Sequence, residues 1–165
     1  MPKDCQLIFA LDFPDKTGAL LFLQPLKQEL DWVKVGLELF TRYGPSIVHE
    51  VADLGFSIFL DLKLHDIPNT VAGAVASLAH LPVSLLTLHA SGGREMMTCA
   101  VRARNAAGGS LRLLGVTVLT SLDAEAMREV GFPPEPERQV RRLAGLARDA
   151  GVDGCVCSPL EASAL

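Results

Sequence analysis

Three charged side chains lie in one short stretch of the chain: Asp61, Lys63 and Asp66. Asp61 and Lys63 are two residues apart, so on an extended backbone both side chains point to the same face. Such a pair could by itself be a structural ion pair. Lys34, in a separate apolar run, adds a second cation. Two cations and two anions in a partly dry cleft are costly to bury, which favours a functional site in which each charge stabilises its neighbours.

These residues lie among six short apolar runs that are separated by segments of helical periodicity. The predicted strands are residues 7–11, 32–35, 56–60, 85–89, 113–118 and 154–156. The predicted helices are residues 17–30, 37–54, 70–81, 94–107 and 139–150. This alternation indicates a parallel sheet, and strand runs that are apolar on both faces favour either a barrel or a doubly wound sheet.

Polar side chains follow or end several of the predicted strands. They are Asp12 after the first, Lys34 on the second, Asp61 and Lys63 after the third, and His89 at the end of the fourth. In a barrel of parallel strands, the carboxyl ends of the strands and the loops after them build the active site. We therefore expect these side chains to converge on one mouth.

Glycine, proline and asparagine residues predict where several helices and loops begin and end. Gly55 and Gly151 follow predicted helices as left-handed caps, and Asn69 could cap the start of the helix over 70–81. Pro68 pushes Ile67 into an extended conformation, which predicts an exposed loop over 65–69 that carries Asp66 and could reach another subunit. A second loop, over 131–137, is expected between the fifth strand and its helix.

Chain length bounds the architecture. A chain of 165 residues predicts a single domain over 1–165. Six strand–helix units in this length require roughly 27 residues each, so a barrel of eight would need about 220. If the fold is a barrel, the sequence is expected to cover about its first six units, with two further units missing.

Composition and charge exclude several classes of protein. A net charge of −4 and a pI near 5.5 argue against a nucleic-acid partner. The uncharged stretch between Asp66 and Arg94 is interrupted by prolines and histidines, which argues against a membrane span. The N-terminus has no signal-peptide pattern, so a cytoplasmic protein is expected.

The four cysteines lack the spacing of a zinc site and are predicted to be reduced core residues: Cys5, Cys99, Cys155 and Cys157.

Residues 59–70, Phe-Leu-Asp-Leu-Lys-Leu-His-Asp-Ile-Pro-Asn-Thr, closely resemble the Asp-x-Lys-x-x-Asp signature of orotidine 5′-monophosphate decarboxylases. Support comes from Ala-Leu-Asp at 10–12, Lys-Val-Gly at 34–36, Leu-His-Ala-Ser-Gly-Gly at 88–93 and Val-Thr-Val-Leu-Thr-Ser at 116–121. The resemblance implies a (β/α)8 TIM barrel and a cofactor-free, metal-free lyase that converts orotidine 5′-phosphate to UMP and CO2 in de novo pyrimidine biosynthesis.

The resemblance also implies roles for individual residues. The catalytic tetrad would be Lys34, Asp61, Lys63 and Asp66. The substrate-binding side chains would be Asp12, Lys34, Ile67, Thr70, Thr120 and Ser121. Within these sets, Lys63 would donate the proton that replaces the carboxylate, and Asp66 would cross a homodimer interface into the neighbouring subunit's site together with Ile67 and Thr70. Asp12 would hold the ribose and Ser121 the pyrimidine. The role of His89 stays open.

Two alternatives remain open at this point. Magnesium-dependent sugar-phosphate decarboxylases and synthases of the same superfamily share the Asp-x-Lys-x-x-Asp pattern, but they lack the His-Asp-Ile-Pro-Asn-Thr continuation. The second alternative is a non-catalytic remnant, because the family's phosphate-binding loop and arginine lie beyond the sixth unit. The 165-residue chain alone is accordingly expected to be nearly inactive.

Overall fold

The strands form one parallel sheet whose order along the sheet is the order along the chain, β1-β2-β3-β4-β5-β6. In the computed structural model, which describes residues 5–165, the strands are β1 Ile8–Ala10, β2 Trp32–Gly36, β3 Ser57–Leu64, β4 Leu85–His89, β5 Arg112–Val116 and β6 Gly154–Val156. A doubly wound sheet reverses its strand order at a switch point, so sequential order excludes that alternative and leaves the barrel. The sheet is the first six strands of a TIM barrel.

Helices follow the strands, as the alternation predicts. They are α1 Lys16–Leu23, α2 Leu37–Tyr43, α3 Pro45–Asp53, α4 Pro68–Leu78, α5 Gly93–Ala107, α6 Ala124–Glu129 and α7 Pro136–Asp149. Alternate strand positions such as Val33, Ile58 and Leu86 are completely buried and share one core with the inner faces of these helices. The other strand face is therefore free to carry polar side chains toward the inside of the barrel.

Two helix predictions are wrong in extent. The helix expected over 17–30 ends at Leu23, because Pro25 cannot continue it and the chain passes into a 3-10 turn over Gln24–Leu26. The helix expected over 37–54 is two helices, α2 and α3. They are divided at Gly44, whose φ of 59° and ψ of −150° leave the helical region, and Pro45 restarts the helix.

The start of α4 differs in detail from the sequence prediction. Ile67 has the extended conformation expected before proline, with φ −60° and ψ 153°, and it occupies the N-cap position. Asn69 therefore lies inside the helix and does not cap it. The exposed loop is correspondingly shorter and covers 65–67 instead of 65–69.

The region after β5 also departs from the prediction. β5 ends at Val116, not at residue 118, and the short helix α6, capped by the Asp123 carboxylate, intervenes before the next loop. That loop covers 130–135, since α7 already begins at Pro136. Gly55 and Gly151 do have positive φ values at the ends of their helices, as predicted.

The prediction that the cysteines are core residues is wrong for Cys5 and holds only in part for Cys155 and Cys157, which pack against the edge of the core. Cys5 is exposed, and Cys99, Cys155 and Cys157 are only partly buried; all four are free thiols. Burial raises the pKa of the Cys155 and Cys157 thiols, so both are protonated and poorly nucleophilic at neutral pH. Within the part of the chain that the structure describes, no helix combines the length and the apolar character needed to cross a membrane.

Candidate active site

The Asp61 carboxylate is the centre of a charged cluster at the carboxyl ends of the first four strands. Its Oδ2 atom accepts a hydrogen bond from Lys63 Nζ at 2.7 Å and lies 3.8 Å from Lys34 Nζ. Its Oδ1 atom accepts a hydrogen bond from the hydroxyl of Thr87 at 2.9 Å. Asp61 is buried, with 8% of its surface exposed, so its charge depends on these donors in place of water.

Asp12 extends the cluster at its open side. Lys34 Nζ donates to Asp12 Oδ1 at 3.1 Å, and the Asp12 side chain is largely exposed. The sheet register explains the meeting: Lys34 pairs with Ala10 of β1, and Gly36 pairs with Asp61 of β3. A small cavity of about 130 Å³ lies between these side chains, with Lys63 in its wall. Asp12, Lys34, Asp61 and Lys63 thus converge as the strand positions predict.

Lys63 reaches Asp61 by a route that the sequence does not show. Its φ is 52°, the only positive value for a non-glycine residue in the described chain, so the backbone there is not extended. Between β3 and β4 the register shifts: Leu60 pairs with Leu86 but Leu64 pairs with Leu88, which places four steps of β3 opposite two of β4. The Asp61 and Lys63 side chains therefore meet across a bulge and not by simple strand alternation.

Thr87 is the site residue that sequence reasoning missed. It is completely buried, and its Oγ1 accepts a hydrogen bond from the Lys63 backbone N–H at 2.8 Å while donating to Asp61. The available signal was a polar residue within the apolar run of β4, two positions before His89. A threonine is common in strands, so composition alone did not distinguish it.

His89 ends β4 beside the cluster, with its ring 5.2 Å from the ring of His65. Burial lowers the pKa of His89, and the neighbouring His65 and Lys63 lower it further against an opposing effect of Asp61. The imidazole is therefore neutral at neutral pH and contributes no further positive charge to the cluster.

The remaining predicted site residues lie away from the cluster in this chain. Asp66, Ile67 and Thr70 are exposed on the loop and first turn after β3, and Asp66 Oδ1 accepts a hydrogen bond from the Ile67 backbone N–H. Among residues 5–165, no Lys, Arg or His side chain forms an ion pair with Asp66. Thr120 and Ser121 are exposed after β5, and Thr120 lines a separate hollow. The structure thus joins three members of the predicted tetrad and leaves Asp66 facing outward.

Metal ligands are not grouped in the described residues: no three His, Cys, Asp or Glu side chains there are arranged to hold an ion. The arrangement that is present can stabilise and protonate. A lysine ammonium held by a buried carboxylate can balance negative charge that develops on a substrate and can then donate a proton to it.

A parallel part-barrel with an Asp-Lys-Lys cluster at the carboxyl ends of its strands defines a TIM-barrel enzyme whose chemistry is electrostatic and acid–base. Comparison with known proteins then identifies the family. The profile of the orotidine 5′-phosphate decarboxylase / HUMPS family matches residues 5–165, and this chain belongs to that family.

Individual relatives agree with this assignment. An orotidine 5′-phosphate decarboxylase of Opitutus terrae is 55% identical over 161 residues, which are 98% of this chain and 70% of that protein. That of Nitrosospira multiformis is 51% identical over 99% of this chain and 67% of its own length. The crystal structure of the Lactobacillus acidophilus orotidine 5′-phosphate decarboxylase superposes with a TM-score of 0.86 at 38% identity, covering 96% of this chain and 73% of that one.

The lowered pKa of His89 predicts a loss of stability in acid. Above the ordinary histidine value of 6.5, His89 is neutral in both folded and unfolded chains. Below it, the unfolded chain takes up the proton first, so the free energy of unfolding falls as pH drops through 6.5 toward the lower folded pKa. We expect the melting temperature of the His89→Gln variant to fall less between about pH 7.5 and 5.5 than that of the unchanged protein, by on the order of 2 °C.

His80→Gln is the matched control, because His80 is exposed in the turn after α4. It should keep the acid sensitivity of the unchanged protein. Equal melting-temperature losses for the unchanged protein and His89→Gln would contradict the assignment of a neutral, desolvated His89.

Proposed function

We propose that this protein decarboxylates orotidine 5′-phosphate to UMP, with Lys63 as the proton donor. The observation that carries the proposal is the 2.7 Å hydrogen bond from Lys63 Nζ to a buried Asp61 carboxylate, in a chain that belongs to the decarboxylase family. The relatives named above are decarboxylases of this substrate. The reaction would be a step of de novo pyrimidine biosynthesis.

The chemistry accounts for the need for a cation at this point. When the bond between C6 and the carboxylate breaks, CO2 leaves and the electron pair stays at C6, where it lies in the ring plane and cannot delocalise into the ring. The Lys63 ammonium balances this charge and then transfers a proton to C6, which completes UMP and leaves a neutral amine. Solvent returns the proton to Lys63 before the next turnover.

Asp61 has two effects in this proposal. It holds Nζ of Lys63 in place by a charge-assisted hydrogen bond. In this proposal the carboxylate of the bound substrate lies beside the Asp61 carboxylate, so the two anions repel each other. Loss of CO2 relieves that repulsion. Lys34, 3.8 Å from the same oxygen, limits the cost of burying Asp61.

Substrate binding is assigned to side chains around the mouth of the barrel. Asp12 and Lys34 form a hydrogen-bonded pair whose exposed oxygen and ammonium suit ribose hydroxyl groups. Ser121, with Thr120 beside it, would contact the pyrimidine from the loop after β5. The curated relatives are longer than this chain, which spans 70% of the Opitutus terrae protein.

We further propose a cytoplasmic homodimer with shared active sites. Ile67 is 67% exposed although it is a large apolar residue, and Asp66 and Thr70 are exposed beside it. The exposed Ile67 side chain favours a contact with another protein chain. The Asp66 carboxylate has no cationic partner in the described chain and is suited to complete the lysine cluster of a neighbouring subunit.

In the full-length context, the proton-donor assignment predicts that Lys63→Ala loses roughly 10²–10⁴-fold in kcat, because both charge stabilisation and proton donation disappear. Conversion of orotidine 5′-phosphate to UMP is followed by ultraviolet absorbance. The control is Lys27→Ala, an exposed lysine outside the cluster, which should keep the unchanged rate. Activity of Lys63→Ala within tenfold of the unchanged protein would refute the assignment.

The shared site predicts complementation between two inactive variants. Mixing Lys63→Ala with Asp66→Ala after partial unfolding and refolding should restore up to about a quarter of the unchanged activity, since half of the dimers are hybrids and one of their two sites is intact. Mixing Lys63→Ala with Lys34→Ala is the matched control. Both lysines belong to one subunit's cluster, so that mixture contains no intact site and should stay inactive. Equal recovery in both mixtures, or none in either, would contradict subunit sharing.

A further inference from the structure

We propose that Thr87 is a positioning residue for the decarboxylation, because its single hydroxyl holds both the backbone of Lys63 and the carboxylate of Asp61 in their working geometry. This inference rests on the proposed function. Thr87 is completely buried and its hydroxyl bonds only to Lys63 and Asp61 in the described chain, so it acts through these two residues and not on the substrate.

The direction of both hydrogen bonds follows from donor counting. The Lys63 backbone N–H can only donate, so Thr87 Oγ1 must accept it, at 2.8 Å. The hydroxyl has one hydrogen, and that hydrogen is then free to point to Asp61 Oδ1, at 2.9 Å. Ionised Asp61 can only accept, so the two bonds form a directed chain from the Lys63 backbone to the Asp61 carboxylate.

The bulge explains why a side chain is needed here. β3 has two more residues than β4 between the pairs Leu60–Leu86 and Leu64–Leu88, and Lys63 lies within this excess. Its N–H is displaced from the regular ladder between the strands and binds the Thr87 side chain instead. Thr87 lies midway between the two β4 residues of those pairs, so its hydroxyl takes the place of a backbone acceptor.

The same hydroxyl gives the two Asp61 oxygens different partners. With Oδ1 bound by Thr87, Oδ2 is left to the ammonium groups of Lys63 and Lys34. Rotation of the carboxylate would break the Thr87 bond, so Oδ2 is held toward Lys63 Nζ. The positive φ of Lys63, an unfavourable conformation for a lysine, is held by its N–H bond to the same threonine.

Loss of the hydroxyl should therefore affect the chemical step more than binding. The groups that it orients, Asp61 and Lys63, act at the reacting carbon, whereas Asp12 and the Lys34 ammonium contact each other on the open side of the cluster. Removing a hydrogen bond to a charged group corresponds to a change of about 10- to 100-fold. We expect that loss in kcat, with KM changed by less than about threefold.

The experiment compares Thr87→Val and Thr87→Ser in the full chain. Valine keeps the shape and removes the hydroxyl, while serine keeps the hydroxyl and removes a methyl group. Thr87→Val should lose about 10- to 100-fold in kcat, and Thr87→Ser should stay within about fivefold of the unchanged protein. Thr117→Val is the matched control, because Thr117 is also buried and its hydroxyl donates to the Val156 carbonyl and not to the cluster.

A second readout does not depend on turnover. Amide hydrogen exchange at Lys63 should accelerate in Thr87→Val and remain slow in Thr87→Ser, since only the valine removes the acceptor of that N–H. If Thr87→Val does not fold, Thr87→Ala replaces it, and the comparison with Thr87→Ser is unchanged.

The outcomes separate this proposal from the function on which it rests. If the unchanged protein does not decarboxylate orotidine 5′-phosphate, the proposed function is overturned. If the Lys63 amide is then still protected only when residue 87 carries a hydroxyl, Thr87 is a structural residue. If the unchanged protein does decarboxylate it, two results overturn the positioning role alone. Thr87→Val could be as active as the unchanged protein, or Thr87→Ser could be as impaired as Thr87→Val.

Discussion

A carboxylate buried within a central strand has to be compensated, and the compensation of Asp61 determines the rest of the site. Two ammonium groups and one hydroxyl surround it, from β2, β3 and β4. An uncompensated charge at 8% exposure would either destabilise the fold or take up a proton. The three donors therefore offset the cost of burying the Asp61 carboxylate and hold it beside both lysines, an arrangement suited to electrostatic and acid–base chemistry.

The fold provides these donors because parallel strands in sequential order bring their carboxyl ends to the same edge. Asp12, Lys34, Asp61 and Thr87 are far apart in the chain but occupy neighbouring strands or the residues directly after them. Helices cover the other face of the sheet and bury its aliphatic residues, so polar side chains occur on the inner face without interrupting the core. The bulge in β3 is a local departure from this regular pattern, and it falls at the residue that is assigned proton donation.

Much of this architecture could be predicted from the sequence. The six strands, the parallel class and the convergence of Asp12, Lys34, Asp61 and Lys63 follow from apolar runs and from polar residues at their ends. Helix lengths were less predictable, because Pro25 and the Gly44-Pro45 pair interrupt segments whose apolar periodicity continues. The apolar pattern alone did not distinguish a barrel from a doubly wound sheet. The family resemblance implied the barrel, and the strand order, which depends on long-range pairing, confirms it. Thr87 was missed because its importance comes from a register shift between two strands, and no single segment encodes that shift.

Proton transfer at C6 by Lys63 is tested most directly by hydrogen exchange in the product, without decarboxylation. By microscopic reversibility, a lysine that protonates C6 also removes that proton, so UMP incubated in D2O with the protein should acquire deuterium at C6. The account predicts this exchange for the unchanged protein and its loss in Lys63→Ala at UMP concentrations that saturate both. Exchange at an unchanged rate in Lys63→Ala would show that another group moves the proton, and the central assignment would be wrong.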